Sequence, residues 1–314
     1  MCLKIFRPMK PKRPPKVKDK PAKKAARGGQ GFMANLFNET EREAIISSLD
    51  RGTGEPDPAT ARPDLSPFLD KIIIGDAEDV LRKLPSESVD IIITSPPYQF
   101  GLEYEGHDDS LRWGDYFAKL GRIWAECERV LVRGGRIAVN VQPLFSDYVP
   151  THHLISLQLM SLGLLWKAEI LWEKHNYNAK YTAWGSWCSP SMPYLKYTWE
   201  FVEVFAKGTH RKPGRHEDID ITPEEFKRWV YGRWEIAPER KMAKLGHPAV
   251  FPEELVRRIL LLFSYRGDVV LDPFVGTGTT ALVAARTGRH YIGIDISEEY
   301  CRVAEERLRS VARD

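Results

Sequence analysis

Apolar positions along this chain of 314 residues fall into two periods. Short β-branched runs at 71–74, 89–94, 136–141, 165–172, 198–205, 269–271 and 290–294 predict strands. Between them, apolar residues recur at helical spacing. They predict helices over 34–50, about eight residues from Glu78, 113–132, 151–163, 252–263, 278–287 and 297–313. Arg133-Gly134-Gly135 reads as the stop of the long helix, and Pro252 as the start of another. Such alternation predicts an α/β fold, with a mostly parallel sheet and helices on both faces. Two stretches break it. Residues 52–67 are rich in Gly, Pro and Asp and read as a linker. Residues 207–246 are charged, lack a clear period and contain Trp229, Tyr231 and Trp234, so they read as an insertion with a recognition role.

Charge is concentrated at one end. Residues 1–27 hold eleven Lys or Arg and one acid, Asp19, while the whole chain is only +3. The remainder is therefore net acidic. Pro and Lys dominate the tail, as in Pro11-Lys12-Arg13-Pro14-Pro15-Lys16, which predicts disorder over residues 1–33. Such a tail can hold DNA phosphates by releasing their counterions, or be a solvated extension with Met33 as a second candidate start. No run of about 18 apolar residues exists to span a membrane. The basic start lacks the apolar core of a secretory signal, so a cytoplasmic location is expected. Cys2, Cys127, Cys188 and Cys301 form no CxxC pair and no zinc spacing, so they read as incidental thiols, with no metal expected.

Val269-Val270-Leu271-Asp272-Pro273-Phe274-Val275-Gly276-Thr277-Gly278-Thr279-Thr280 runs from strand through a glycine-rich turn into a helix. Glycines let a backbone approach a ligand, and the helix start offers free N–H groups to a carboxylate. Tyr291-Ile292-Gly293-Ile294-Asp295 ends in a second acid, 19 residues after Gly276. That is the separation at which the acid of a nucleotide fold meets ribose hydroxyls. GxGxxG and Gly-Lys-Thr are both absent, so dinucleotides and ATP fit poorly. A cationic sulfonium with an amino-acid end suits a loop flanked by Asp272 and Asp295.

The run Asp-Pro-Phe-x-Gly-x-Gly-Thr-Thr, taken with Thr94-Ser95-Pro96-Pro97-Tyr98, resembles the DNA amino-methyltransferases. It is most similar to their β class, in which the catalytic motif precedes the cofactor motif. The likeness covers residues 70–312. Gly75-Asp76 before Asp79-Val80-Leu81 resembles the family segment upstream of the catalytic strand, which implies Asp76 near the cofactor adenine. His247-Pro248-Ala249-Val250-Phe251-Pro252-Glu253-Glu254-Leu255 resembles the segment that folds over the cofactor's methionine end. Trp184-Gly185-Ser186 and residues 197–205 match family positions as well. The resemblance implies a single Rossmann-like methyltransferase domain at 68–314, behind a helix and linker at 34–67. Its catalytic half is 68–206, its target-recognition insertion 207–246 and its cofactor half 247–314. It implies S-adenosyl-L-methionine, held by Asp76, Thr94, Phe251, Asp272, Phe274, Gly276, Gly278, Thr279 and Asp295. Double-stranded DNA is the implied partner, with a cognate restriction endonuclease beside it, for a monomer or homodimer.

An exocyclic base amine is a poor nucleophile, because its lone pair is delocalised into the ring. Acceptors on its N–H bonds push it towards tetrahedral geometry. Ser95 Oγ and the Pro96 carbonyl supply two, Pro96 and Pro97 stiffen the turn, and Tyr98 offers a ring to a base swung out of the duplex. No strong base is needed, so Asp272 and Asp295 are binding residues. In the family, Ser at the head of this turn usually goes with cytosine N4 and Asp with adenine N6. Ser95 thus implies N4-cytosine, with N6-adenine as the alternative. Carbon-5 methylation needs a thiolate, usually in a Pro-Cys pair, and the order around Cys188 is wrong. An RNA or protein amine, or a DNA-binding module without catalysis, are the remaining alternatives.

Lys174, in Trp172-Glu173-Lys174-His175-Asn176-Tyr177, is placed by the resemblance beside the target base. Lys196 lies among Trp184, Trp187, Tyr194 and Tyr197, and aromatics interleaved with basic residues suit stacking and phosphate contacts. Arg211, Lys212, Arg215 and Arg233 are candidates for DNA contacts from the insertion. Asp218, Asp220, Glu224 and Glu225 dilute their charge. His152-His153 has no acid at ligand spacing and reads as a surface or capping pair.

Overall fold

The computed structural model describes residues 38–50, 62–97, 113–142, 149–175, 185–195, 197–239 and 252–311. Tyr98, Lys196, Phe251 and the basic tail lie outside the described residues. In chain order the elements are α1 (Glu39–Asp50), β1 (Lys71–Ile74), α2 (Ala77–Leu81), β2 (Val89–Thr94), α3 (Trp113–Val130), β3 (Leu131–Val141), α4 (Thr151–Ser161), β4 (Leu164–Glu173) and β5 (Trp199–Lys207). They continue with α5 (Pro223–Trp229), β6 (Arg233–Glu235), α6 (Glu253–Phe263), β7 (Val269–Asp272), α7 (Thr279–Arg286), β8 (His290–Asp295) and α8 (Glu298–Val311). The strands form one sheet in the order β1-β8-β7-β2-β3-β5-β4-β6. Only β5 runs against its neighbours, β3 and β4. The other pairs are parallel.

β2 shows why helices cover both faces. All six of its residues are buried, and strand alternation sends Ile91 and Ile93 to one side and Ile92 to the other. Ile91 and Ile93 join Ala138, Val202, Val204 and the α6 residues Leu255, Val256 and Ile259 in one cluster. The buried stripe of α3, including Phe117, Leu120, Ile123, Trp124 and Cys127, takes no part in that cluster and packs on β3 from the other side. Each isoleucine so buried stabilises the fold by roughly 1.5–3 kcal/mol.

Two stretches differ from the sequence reading. Helix α3 stops at Val130 and β3 begins at Leu131, so Arg133-Gly134-Gly135 lies within a strand instead of capping a helix. The register of β2 against β3 shifts there, between Val89 and Ile91. Gly134 has φ of 79°, and a Cβ on it would sit 2.6 Å from the Arg211 carbonyl oxygen. The glycines thus mark a strand irregularity and a close backbone approach. Within the stretch 207–246, expected as a target-recognition insertion, a strand joins the sheet. Thr222 and Glu225 form a capping box at the start of α5, and β6 adds the eighth strand beside β4. Trp229, Trp234 and Ile236 belong to the α6 cluster, so these aromatics are core residues.

Asp90, at the start of β2, is a fully buried carboxylate with four donors. Arg62 reaches it through both terminal nitrogens at 2.6 and 2.8 Å, Lys212 through its ammonium at 2.8 Å, and Val269 through its backbone N–H at 2.9 Å. Burial alone would push its pKa up. The Lys212 and Arg62 charges outweigh that and hold it below the usual carboxylate range. Asp90→Ala would take one of two countercharges from the buried Lys212 ammonium and leave the Val269 N–H without its acceptor. The expected cost is about 3–5 kcal/mol, read as a lower urea midpoint at unchanged m-value.

Candidate functional site

Seven parallel strands deliver their carboxyl ends to one edge, and a ligand site in an open α/β sheet forms outside that edge. Asp295 closes β8, Asp272 closes β7 and Thr94 closes β2, three neighbouring strands. The Thr94 hydroxyl donates to Asp272 Oδ1 at 2.7 Å, across 178 positions of sequence. The Ser95-Pro96-Pro97 turn and the glycine turn after Asp272 therefore leave the sheet side by side. Ser95 is half-buried and Pro96 buried.

The glycine turn is held from three directions. The Phe274 N–H donates to Asp272 Oδ1 at 3.0 Å, and the Gly276 N–H to Asp295 Oδ2 at 2.8 Å. Asp295 Oδ1 accepts from the Ser297 N–H at 2.9 Å. Gly278 has φ of 83°, and a Cβ there would lie 2.6 Å from the Ala304 Cβ of α8, so this position requires glycine on two counts. From α8, Arg307 donates to the Thr277 carbonyl at 2.6 Å and to Thr279 Oγ1 at 3.0 Å. Its other terminal nitrogen lies 3.5 Å from Glu253 of α6. The Phe274 ring meets Trp124 edge-on, with centroids 6.3 Å apart.

Burial drives the electrostatics. It pushes Asp272 up to about 6, against the pull of the Thr94 hydroxyl and the Phe274 N–H. Asp295 is raised as well, again by burial first, with the Ser297 and Gly276 N–H groups opposing. Asp76 goes the other way. Burial would raise it, but Lys119 at 2.7 Å and two backbone N–H groups outweigh that and hold it below the usual range. Asp76 caps α2 by accepting from the Glu78 N–H, and the Gly75 N–H before it donates to the Asp295 carbonyl. It therefore stands beside Asp295.

The residues expected to touch DNA separate into two groups. Lys174 follows β4 at the same edge as Ser95. Its ammonium pairs with the buried Glu200, which also accepts from the Asn140 side-chain amide, and lies 4.7 Å from the Trp172 ring. Arg233 is exposed at that end of β6, 3.9 Å from Glu173 and 3.7 Å from Glu235. Arg211, Lys212 and Arg215 lie at the opposite edge. Lys212 is an interior countercharge, 2.8 Å from Asp90 and 3.1 Å from Asp268, and this corrects its expected place on a DNA surface. Arg211 runs against Gly134 at the start of β3, and Arg215 pairs with Asp218 at 2.9 Å. His152 is not a surface residue either. Its ring stacks on Phe201 at 4.7 Å, and burial, with His153 second, pushes it down to about 4.

Sequence reasoning missed the residues that support the site from α3 and α8. The Tyr116 hydroxyl donates to the Pro97 carbonyl at 2.8 Å, Lys119 holds Asp76, and Arg122 holds Glu78 at 3.0 Å. Tyr116 and Lys119 stand one helical turn apart. That spacing in α3 was visible, but their partners across the fold were not.

A parallel sheet with paired strand-end acids, a glycine turn and a proline-stiffened turn from adjacent strands defines a nucleotide-type ligand site with a second rigid loop beside it. The DNA methylase family, the N6/N4 methyltransferases, matches residues 89–306, and the chain belongs to it. It is 30% identical to type II methyltransferase M.MjaI of Methanocaldococcus jannaschii, over 76% of this chain and 90% of that protein. It is 33% identical to the DNA adenine methyltransferase YhdJ of Escherichia coli K12, over 76% of this chain and 82% of that one. Among solved structures it is similar to a candidate DNA modification methylase of Thermus thermophilus complexed with S-adenosyl-L-methionine. That pair shares 29% identity over 77% of this chain and 93% of the other, with a TM-score of 0.61. It also shares the fold of the cytosine-N4-specific PvuII DNA methyltransferase, at 20% identity and a TM-score of 0.56 over 77% and 89% of the chains.

Tyr116→Phe keeps the ring and removes the donor to the Pro97 carbonyl. Stability should fall by about 1 kcal/mol. Methyl-transfer turnover should fall by roughly tenfold through the misplaced turn. Initial rates at saturating cofactor and DNA, beside a urea titration, check both.

Proposed function

We propose that the protein methylates the N4 amine of cytosine within a short sequence of double-stranded DNA. The methyl donor is S-adenosyl-L-methionine, which supplies an electrophilic methyl group when bound. The residues fit that cofactor. Asp272 and Asp295 offer carboxylates to a cationic ligand, and the glycine turn brings backbone close without a side chain in the way. Asp76 and Phe274 are assigned to the same cofactor, Asp76 standing beside Asp295 and Phe274 within the glycine turn, and Phe251 is assigned to its methionine end from the motif. Ser95 Oγ and the Pro96 carbonyl take the two N–H bonds of the target amine and turn its lone pair towards the methyl group. Tyr98 stacks on the flipped base. Lys174 and Arg233 are the DNA contacts this reading retains, and Lys196 is assigned to the DNA from the sequence alone. The enzyme is cytoplasmic and guards its host's DNA against a cognate restriction endonuclease, a role supported by the type II methyltransferases among its relatives.

The observation that carries the reading is the Thr94–Asp272 hydrogen bond, which sets Ser95 beside the glycine turn. Ser95→Ala should lower methyl incorporation by at least about a hundredfold, in line with the loss of one preorganised polar contact at a reacting centre. Unchanged labelling of DNA would remove Ser95 from the site. N6-adenine is the second reading, favoured by the 33% identity to an adenine methyltransferase. Nucleoside analysis of DNA methylated in vitro decides: N4-methylcytosine is expected, and N6-methyladenine as sole product reverses the substrate assignment.

Cofactor affinity should depend on pH. Asp272 has its pKa raised to about 6, so its proton must leave before it can meet a cation. For a raised acid, the protonated form is favoured in the free protein below that value, and affinity is lost as pH falls through it. The dissociation constant should rise by about tenfold per pH unit below 6. Titration calorimetry from pH 5 to 7.5 reads it, and Asp272→Asn should flatten the profile. A profile unchanged in that variant would transfer the titration to Asp295.

A further inference from the structure

On the α6 side of the sheet, at the edge away from Ser95, lies a cavity of about 660 Å³. Its walls are apolar and aromatic, with Phe226, Trp229, Val230, Trp234 and Leu261 among them. Phe226 and Val230 are each half exposed and form its mouth. That size falls in the range of small-molecule sites, roughly 300–1,000 Å³.

Three cations line this cavity, Arg136, Lys167 and Lys212. Arg136 is 4% exposed and projects to this face, in register with Ile91 of the α6 cluster. Its hydrogen bonds go to the backbone carbonyls of Gly134, Gly135 and His210, and among the described residues no carboxylate pairs with it. Lys167 sits at the register shift of β4 between Trp166 and Ala168, which brings it to the same face, and its ammonium meets the His210 carbonyl at 3.3 Å. The acids nearby are already engaged. Asp220 is paired with Arg289 and lies 3.6 Å from Arg266. Glu169 alternates to the other face of β4, where it meets Glu203. Lys212 is neutralised by Asp90 and Asp268. Burial pushes Arg136 down to about 10 and lowers Lys167 too, with the Arg136 charge as second cause. A buried cation and a half-buried one held near each other without a counter-anion are electrostatically unfavourable, and an anion placed between them would relieve that.

We propose that this cavity binds an organic anion with a flat apolar body, its carboxylate, sulfonate or phosphate group set against Arg136 and Lys167 and its body against Trp229, Trp234 and Phe226. The site is separate from the methyl-transfer edge, and the proposal stands independently of the base that is methylated.

The test uses 1-anilinonaphthalene-8-sulfonate as the anionic probe and N-phenyl-1-naphthylamine as its uncharged analogue. Both are titrated by fluorescence into the full chain with S-adenosylhomocysteine saturating the cofactor site. One equivalent of the anion should bind, at least tenfold more tightly than the neutral amine. Lys167→Met should weaken the anion by at least threefold and leave the amine within twofold. Val230→Trp, which fills the mouth, should weaken both. Arg136→Met should weaken the anion by at least tenfold, and if that variant fails to fold, the other two carry the test. Methyl-transfer activity verifies the fold of each variant. Equal affinity for anion and amine, or anion binding unchanged in both Lys167→Met and Val230→Trp, would leave Arg136 as a structural staple for three carbonyls and overturn the proposal.

Discussion

The pairing of β2 with β7 is the constraint on which the rest of the site depends. Backbone register joins these strands only through Ile91 with Val270 and Ile92 with Leu271. Side chains pin both ends of that short ladder. Asp90 accepts from the Val269 N–H where the strands begin, and Thr94 donates to Asp272 where they end. Asp90 and Thr94 share one parity along β2, so both lie on the same side of the strand. A slip of one residue would break both contacts and take the Val269 N–H and the Thr94 hydroxyl from their carboxylate partners, at about 1–3 kcal/mol each. The register is thus fixed far more firmly than its apolar residues alone could fix it. With it is fixed the position of Ser95 relative to the glycine turn.

The same pairing explains why motif order along the chain does not matter to the chemistry. Ser95 leaves the second strand and the glycine turn leaves the seventh, yet the two strands are neighbours. A parallel sheet needs only that each turn exit at the carboxyl edge, because crossover connections can join strands in any sequence order. The elements between them then serve as supports. Tyr116 of α3 holds the proline turn through the Pro97 carbonyl, and Arg307 of α8 holds the glycine turn through Thr277 and Thr279. Each turn is therefore backed by its own helix, and the two helices lie far apart in sequence.

The site was legible where chemistry lies in consecutive residues. Asp272 to Thr279, Asp295 and Ser95 to Pro97 could be read because a tight turn needs glycine or proline at fixed offsets. The strands were legible because both faces are buried and β-branched residues mark them. What escaped were long-range electrostatics and backbone approach. Gly134 looks the same in sequence whether it ends a helix or lets Arg211 pass at close range. Lys212 looks like a DNA contact until Asp90 and Asp268 appear on either side of it. Trp229 and Trp234 look like a recognition surface until β6 joins the sheet and carries them into the α6 cluster. In each case the deciding partner lies many residues away, and no local period encodes it.

The choice of Ser at position 95 makes physical sense in this setting. Thr94 and Asp272 already place one buried carboxylate next to the turn, and burial, outweighing the Thr94 hydroxyl, raises that carboxylate to about 6. A second carboxylate at position 95 would stand one residue from Thr94, in the same poorly solvated corner. Like charges held that close raise each other's pKa, so one would be protonated near neutral pH and lose much of its strength as an acceptor. A neutral hydroxyl avoids the conflict. It accepts from an amine without disturbing Asp272, whose negative charge is then free to meet a cationic ligand. On this argument Ser95 and the raised Asp272 are parts of one electrostatic arrangement.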